Sequence, residues 1–210
     1  MTDRVGNARD LILGRIREAN RKAAGPDIRY EAIAREYQNE TTLDHADILK
    51  LFSERLHEYD AQVWEATDAT IASVFAEALV PIREHAVIAS DEFPADRLPD
   101  GMKWLKESDA DDTAMEKAAG AIVTCEVAIA HTGTIVLKGA RTMTLLPDRL
   151  LCVVREEQVV ETVPEAFARL QPIAAEALTF ISGPSATADI EMTRIRGVHG
   201  PRFLDVVLLR

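Results

Sequence analysis

The chain has 210 residues, of which 47% are hydrophobic and 28% are charged, and its formal net charge at pH 7 is −11. This length and composition allow one domain with a sizeable core, or one domain with a short helical arm. The acidic balance and the lack of a basic stripe argue against nucleic acid and anionic membranes as partners, because both attract clustered basic residues.

The amino-terminal residues MTDRVGNARD lack the apolar segment of a signal peptide. No apolar run approaches the roughly 20 residues that a membrane-spanning helix needs. We therefore expect a cytoplasmic protein without a membrane span. The two cysteines, Cys125 and Cys152, lie in apolar runs, which predicts buried thiols. They are too few for an iron–sulfur cluster, which usually has about four cysteine ligands.

The first 59 residues have helical patterns and loops. Apolar residues at helical spacing predict a helix over residues 8–23, which Gly25 and Pro26 end. A second helix is predicted over residues 48–59, with Asp44 as its N-cap. We interpret residues 1–59 as a helical N-terminal arm and residues 60–210 as an α/β domain.

From residue 60 onward, short apolar runs alternate with helical patterns. A helix is predicted from Thr67 to Leu79, a short one over residues 113–119, and one that opens with the capping box Thr162–Glu165. The runs that predict strands are residues 61–64, 86–89, 121–124, 134–138, 150–155, 178–182 and 203–209. Buried strands that alternate with helices predict an α/β fold with a mainly parallel sheet flanked by helices.

Ligands of such sheets bind beyond the carboxyl ends of the strands, so the loops after strands are the first places to look for chemistry. One such loop contains Thr132, Gly133 and Thr134, where glycine allows close backbone approach and the hydroxyls can donate to an anion. An ordinary β-turn is the alternative. Arg141 is a candidate clamp for a carboxylate or phosphate, unless it is simply an exposed loop arginine.

The polar tract over residues 182–201 is the strongest candidate for a ligand site. Its first part follows a predicted strand and places hydroxyls at the start of a predicted helix, where free N–H groups attract anions. The candidate ligand-binding residues here are Ser182, Gly183, Ser185 and Thr187. Asp189 and Glu191 add acceptors and are candidate catalytic residues, although they could also complement the helix N-terminus.

The tract ends at the turn Gly197-Val198-His199-Gly200-Pro201. Histidine side chains commonly serve in proton transfer, so His199 is a candidate catalytic acid or base, with Gly200 beside it as a ligand-binding position. A histidine hydrogen-bonded within the turn is the alternative. The sequence has no His-x-x-x-His, no cysteine pair and no P-loop, and we expect neither a metal nor a cofactor.

The segments CEVAIAHTGTIVL (125–137), Arg141, LLP (145–147), FISGPSATADIE (180–191) and GVHGP (197–201) together resemble the LUD-domain family, in particular its lactate-utilisation LutC subunits. The resemblance implies a fold similar to the NagB/RpiA/CoA-transferase group. It also implies a role in oxidising L-lactate to pyruvate, beside partner proteins that carry iron–sulfur clusters. Family members usually have Glu before Thr-Gly-Thr, where this chain has His131.

These observations favour a non-redox subunit of a lactate-oxidising assembly that binds a small anionic ligand and works with iron–sulfur partner subunits. The first alternative is a stand-alone isomerase, transferase or ligase that acts on a phosphorylated or CoA-linked small molecule. In that enzyme Arg141 would clamp the substrate and His199 would act as acid or base. The second alternative is an interaction scaffold, in which the tract over residues 182–201 forms structural turns.

Overall fold

A computed structural model of the protein describes residues 8–23, 33, 41–139, 141–188, 194–197 and 199–210. The chain divides into two compact units between residues 37 and 38. In the first unit, helix α1 spans Ala8–Ala23, as its apolar spacing predicted. Lys22 pairs with Glu18 one turn earlier in this helix, at 2.9 Å.

The second unit contains five helices and twelve strands among its described residues. Its helices are α2 (His45–Glu58), α3 (Ile71–Ala78), α4 (Asp112–Lys117), α5 (Arg141–Leu145) and α6 (Val163–Leu170). Its strands are β1 (Gln62–Ala66), β2 (Ala86–Ala89), β3 (Lys103–Lys106), β4 (Gly120–Thr124), β5 (Val127–Ile129), β6 (Thr134–Lys138), β7 (Arg149–Arg155), β8 (Val159–Val160), β9 (Leu178–Ile181), β10 (Ala186–Ala188), β11 (Arg194–Arg196) and β12 (Phe203–Leu209).

Six strands form a sheet in the order β1-β12-β7-β4-β2-β3, and every neighbouring pair is parallel. Both faces are buried because side chains alternate along each strand. In β7, Leu150, Cys152 and Val154 join one hydrophobic cluster, whereas Leu151 and Val153 join a second cluster on the opposite face. The prediction of a mainly parallel sheet flanked by helices is confirmed.

A second sheet has the order β8-β5-β6-β9 and was not anticipated. Strands β6 and β9 belong to this sheet and pair antiparallel with each other. The tight turn at residues 130–133 makes β5 and β6 an antiparallel hairpin. The apolar runs predicted the strands β6 and β9 but did not indicate which sheet each one joins.

Helix α2 packs against the parallel sheet through four buried side chains. Its N-cap is Asp44, as predicted, and the Asp44 side chain accepts a hydrogen bond from Asp47 N at 2.9 Å. The buried residues Ile48, Leu49, Phe52 and Leu56 belong to the same cluster as Leu150 and Cys152. The domain boundary after residue 59 stays a prediction, which truncation can test.

The tract after β9 folds differently from its prediction. A helix start was expected there, but Ala186–Ala188 forms β10, which pairs antiparallel with β11 (Arg194–Arg196). Ser185 and Thr187 therefore do not cap a helix, and the argument for an anion at a helix N-terminus is wrong for this tract. The capping box at Thr162 and Glu165 is confirmed at the start of α6.

Cys125 and Cys152 are both buried and free, as their apolar surroundings predicted. Burial raises the pKa of both thiols. Among the residues that the structure describes, no helix is long and apolar enough to cross a membrane.

Candidate functional site

A cleft of about 300 Å³ brings together six of the twelve candidate residues that the sequence singled out. It lies between β9 with its following turn on one side and α5 with the start of β12 on the other. The predicted residues that line it are Arg141, Ser182, Gly183, Ser185, His199 and Gly200. Its volume is at the lower end of the range for small-molecule sites, about 300–1,000 Å³.

The two ends of the polar tract are joined by backbone hydrogen bonds. Ser185 N donates to Pro201 O at 2.8 Å, and Gly197 N donates to Ser185 O at 3.0 Å. These bonds, with the β10–β11 hairpin between them, place Ser185 and His199 on the same cleft although they are far apart in sequence. The two ends of the tract therefore meet in one site.

An ion pair outside the cleft holds this turn in place. The Arg202 guanidinium binds both oxygens of Asp148, at 2.6 and 2.7 Å, and these hydrogen bonds lower the pKa of the Asp148 carboxyl. The Arg202 side chain passes close to Gly197, where a Cβ atom would lie 2.2 Å from Arg202 Cγ. Gly197, with φ +80°, is thus required for both the turn and the passage of Arg202.

Arg141 is the cation of the cleft. It begins helix α5, and Thr144 Oγ1 donates to Arg141 O at 2.9 Å, which ties down the first turn. Arg141 is exposed, and no carboxylate among the described residues pairs with it. A guanidinium with its donors available can receive a carboxylate or phosphate in the bidentate manner.

Thr132, Gly133 and Thr134 do not line the cleft, but the Thr134 hydroxyl contacts Ser182, which does. The Thr132 and Thr134 hydroxyls are 2.7 Å apart, and the Thr134 hydroxyl is 2.8 Å from that of Ser182. Thr134 is buried, whereas Ser182 lines the cleft. Each hydroxyl can donate and accept, so this row of three hydroxyls connects the buried Thr134 to Ser182 in the cleft.

Two glycines of the site allow close approach to the end of helix α2. A Cβ on Gly133 would lie 2.9 Å from Arg55 Cβ, and one on Gly183 would lie 2.6 Å from Tyr59 Cβ. Both have positive φ, +58° and +83°. The sequence suggested that these glycines admit a ligand, whereas the structure shows them admitting the protein's own helix.

The cleft does not lie where the sheet prediction placed it. Leu150 and Leu204, which line it, stand at the amino ends of β7 and β12. The carboxyl ends of the parallel strands were expected to hold the site, so that expectation is wrong for this cleft. The tract reaches the opposite end because it follows β9, a strand of the second sheet.

Sequence reasoning missed Phe180 and Glu161. Phe180 lines the cleft, is 46% exposed, and stacks on Phe167 of α6 with ring centroids 6.0 Å apart. An aromatic residue inside a predicted strand gave no sign of exposure, because its face depends on which sheet the strand joins. Glu161 was overlooked because it directly precedes the capping box, which already explained the local polarity.

Glu161 is a buried carboxylate, 1% exposed, that binds the segment before α2. It accepts hydrogen bonds from Thr42 N at 2.5 Å, Thr42 Oγ1 at 2.7 Å and Leu43 N at 3.0 Å. The Leu43 N–H is the main cause that lowers the pKa of the Glu161 carboxyl, while burial opposes it. His131 Nε2 lies 3.5 Å from Glu161 Oε1, so His131 faces this carboxylate.

The remaining candidate residues lie partly outside the described chain. Asp189 and Glu191, both predicted as catalytic, fall outside it, and Thr187 is described through its backbone in β10. Within the described ranges, no group of three His, Cys, Asp or Glu side chains could hold a metal ion.

The fold and the cleft define an α/β protein with a parallel six-stranded sheet and an appended four-stranded sheet. The LUD domain family matches residues 5–209, and the chain belongs to this family. It is 38% identical over 198 residues to "Lactate utilization protein C" of Deinococcus radiodurans, covering 90% of this chain and 91% of the relative.

Two further comparisons agree with this family. The chain is 27% identical over 234 residues to "Lactate utilization protein C" of Bacillus licheniformis, covering 96% of this chain and 95% of that protein. The crystal structure of a DUF162 family protein from Deinococcus radiodurans is similar with a TM-score of 0.69 and 34% identity, covering 80% of this chain and all of that one.

Proposed function

We propose that the protein is a subunit of an L-lactate utilisation system that oxidises lactate to pyruvate. Within this system it is the non-redox component and works with partner subunits that carry iron–sulfur clusters. The main support is its similarity to a lactate utilization protein C over about nine-tenths of both chains. Its two cysteines are both buried, which fits a chain that leaves cluster binding to its partners.

We further propose that the cleft binds a small anionic ligand. Arg141 supplies the positive charge, and Ser182 and Ser185 supply hydroxyl donors beside it. His199 is exposed on the same cleft and can donate to the anion when protonated. The β10–β11 hairpin replaces the helix N-terminus that was expected to attract an anion, so this proposal rests on Arg141 and the neighbouring hydroxyls.

Growth tests the role in lactate utilisation. Clean deletion of the gene is expected to abolish growth on L-lactate and to leave growth on pyruvate intact. The wild-type gene and Arg83→Gln should restore growth, because Arg83 is an exposed arginine outside the cleft lining. Arg141→Gln should restore it poorly. Normal growth of the deletion strain on lactate, without a second copy of the gene, would rule out the proposed role.

Thermal unfolding tests the anion site separately. Lactate, pyruvate and inorganic phosphate are added in turn, and a ligand present at about 100 times its Kd stabilises by about 2.7 kcal/mol. For a chain of this size that is a rise of roughly 5–10 °C. Arg141→Gln should remove the rise and Arg83→Gln should keep it. An equal rise in both variants would mean that the anion binds elsewhere.

A further inference from the structure

The cleft runs along β9, an edge strand of the second sheet. Among the described residues, β9 pairs with β6 alone and is the last strand of its sheet. Thr179, Phe180 and Ile181 of β9 line the cleft, so the open edge faces into it. In an antiparallel edge strand, every second residue presents both its N–H and its C=O outward. These outward groups can pair with another extended chain.

The other edge strands of the two larger sheets have features that discourage such pairing. β3 carries Lys103 and Lys106, β1 carries Glu65, and β8 has only two residues. Charged side chains and short length are the usual protections of an exposed edge. β9 (Leu178–Ile181) has neither a charge nor a proline nor a glycine, and it exposes an aromatic ring. Its edge is therefore the one suited to receive a strand.

The surroundings of this edge indicate the chemistry of the partner. Phe180 and Phe167 are stacked and 46% and 51% exposed, which offers an apolar surface to a side chain of an added strand. Across the cleft, Arg141 has no carboxylate partner among the described residues. A four-residue strand is roughly 13 Å long, so a short segment could reach both features.

We propose that an extended segment of a partner protein adds to the open edge of β9 and places a carboxylate side chain against Arg141. The inference rests on the anion-binding role of Arg141 proposed above, and it assigns that anion to a protein partner. Backbone pairing with β9 would provide affinity, while Phe180 and Arg141 would select an apolar and an acidic side chain.

Fluorescence anisotropy with labelled peptides tests the strand pairing. The probes are two pentapeptides of alternating valine and threonine with aspartate at the first or the last position. At least one should bind the full chain. Two N-methylated versions of that peptide are compared, one methylated at the odd positions and one at the even positions. One version should bind about tenfold or more weakly and the other should bind as before, because only the N–H groups that point toward β9 form hydrogen bonds with it. Equal binding of both methylated peptides, or no binding of either parent peptide, would overturn the proposal.

Two surface variants test the position of the site. Phe180→Lys places a charge beside the edge and should weaken peptide binding about tenfold or more. The control is Val80→Lys, because Val80 is 55% exposed but does not line the cleft, and this variant should change binding less than about threefold. Replacing the peptide's aspartate by asparagine should weaken binding to the wild type and have no effect with Arg141→Gln. Equal losses in Phe180→Lys and Val80→Lys would contradict docking at the strand edge.

The test also separates this inference from the proposed function. Stabilisation by lactate that needs Arg141, together with no peptide binding, would leave the small-anion site standing and refute the strand addition. Peptide binding with normal lactate growth of the deletion strain would support the strand addition and refute the role in lactate utilisation. Sedimentation should show a monomer, and a dimer that Phe180→Lys dissociates would assign the edge to a second copy and overturn the partner proposal.

Discussion

At the scale of single residues, Glu161 is a buried side chain whose role is structural. Glu161 lies between β8 and α6, and its carboxylate accepts hydrogen bonds from the Thr42 and Leu43 N–H groups. It therefore connects the start of α6 to the segment that precedes α2. Because a carboxylate only accepts, each of these donors is matched to it. His131 Nε2 lies 3.5 Å from the same carboxylate, so the turn between β5 and β6 also meets Glu161.

Glu161→Gln should lower the free energy of unfolding by about 1–3 kcal/mol, because the neutral amide loses the charge-assisted hydrogen bonds that the carboxylate makes with Thr42 and Leu43. Urea denaturation at neutral pH measures this change. Glu116→Gln is the matched control, since Glu116 is exposed on α4 and should change stability by less than about 0.5 kcal/mol. Equal effects of the two variants would show that the hydrogen bonds of Glu161 do not contribute.

The same carboxylate predicts a pH dependence. Its pKa is lowered in the folded state, so its contribution is complete above the unfolded value, about 4.3, and is lost as the pH falls through the folded value. The stability difference between wild type and Glu161→Gln should therefore shrink as the pH falls below about 4.3. Denaturation at pH 7 and pH 3 measures it, and a difference that grows toward low pH would contradict the assignment.

At the scale of secondary-structure elements, the sequence predicted local structure better than strand pairing. Helix α2 with its cap at Asp44, the capping box at Thr162 and the buried strands β2, β4, β7 and β12 follow from patterns within a few residues. The placement of β6 and β9 depends on the hairpin at residues 130–133, which is a non-local choice. Short strands such as β5 and β8 leave too few residues for a periodic signal.

Several residues of the cleft were named from the sequence, but the place of the cleft in the fold was not predicted. Arg141, Ser182, Ser185 and His199 do share a cleft. Their location at the amino ends of β7 and β12 could not be read from the sequence, because it depends on the second sheet carrying the tract across the molecule. A close backbone approach at Gly133 was correctly expected from the sequence. The expected neighbour was a ligand, whereas the neighbour in the structure is Arg55 of α2.

Gly133→Ala tests the contact between the β5–β6 turn and α2. Gly101→Ala is the matched control, because Gly101 also has positive φ, +78°, but would meet nothing within 4 Å. The control carries the backbone cost alone, about 1–2 kcal/mol. Gly133→Ala should cost about 1–3 kcal/mol more, since the new Cβ would press on helix α2. Thermal or urea denaturation compares them, and equal losses would mean that the turn relaxes freely.

At the scale of the whole molecule, the hydrophobic clusters begin at Leu43 and end at Leu209, all within the unit that starts at residue 38. One cluster joins α2 to the parallel sheet and to the inner face of the second sheet. A continuous core of this kind unfolds as one cooperative unit.

Two truncations test where the cooperative unit begins. A chain of residues 38–210 should fold, with a sigmoidal thermal transition by circular dichroism. A chain of residues 60–210 should not, because it lacks the buried Ile48, Leu49, Phe52 and Leu56. Each such loss costs about 2–5 kcal/mol, so the four together cost roughly 8–20 kcal/mol, which is comparable to an entire typical stability of about 5–15 kcal/mol. Cooperative unfolding of the shorter chain would instead support the boundary predicted after residue 59.

The two buried thiols give the molecule a built-in reporter. Cys125 and Cys152 sit in the central cluster, on or beside adjacent strands of the parallel sheet, and burial raises the pKa of both. Since the thiolate is the form that reacts with alkylating reagents, the folded chain should be inert to them. Alkylation then requires local or global unfolding that exposes the thiols. The rate of alkylation therefore measures how often the core around these cysteines opens in the unmutated protein. Ligands that stabilise the folded chain would be recognised by slower labelling, without any attached dye or engineered cysteine.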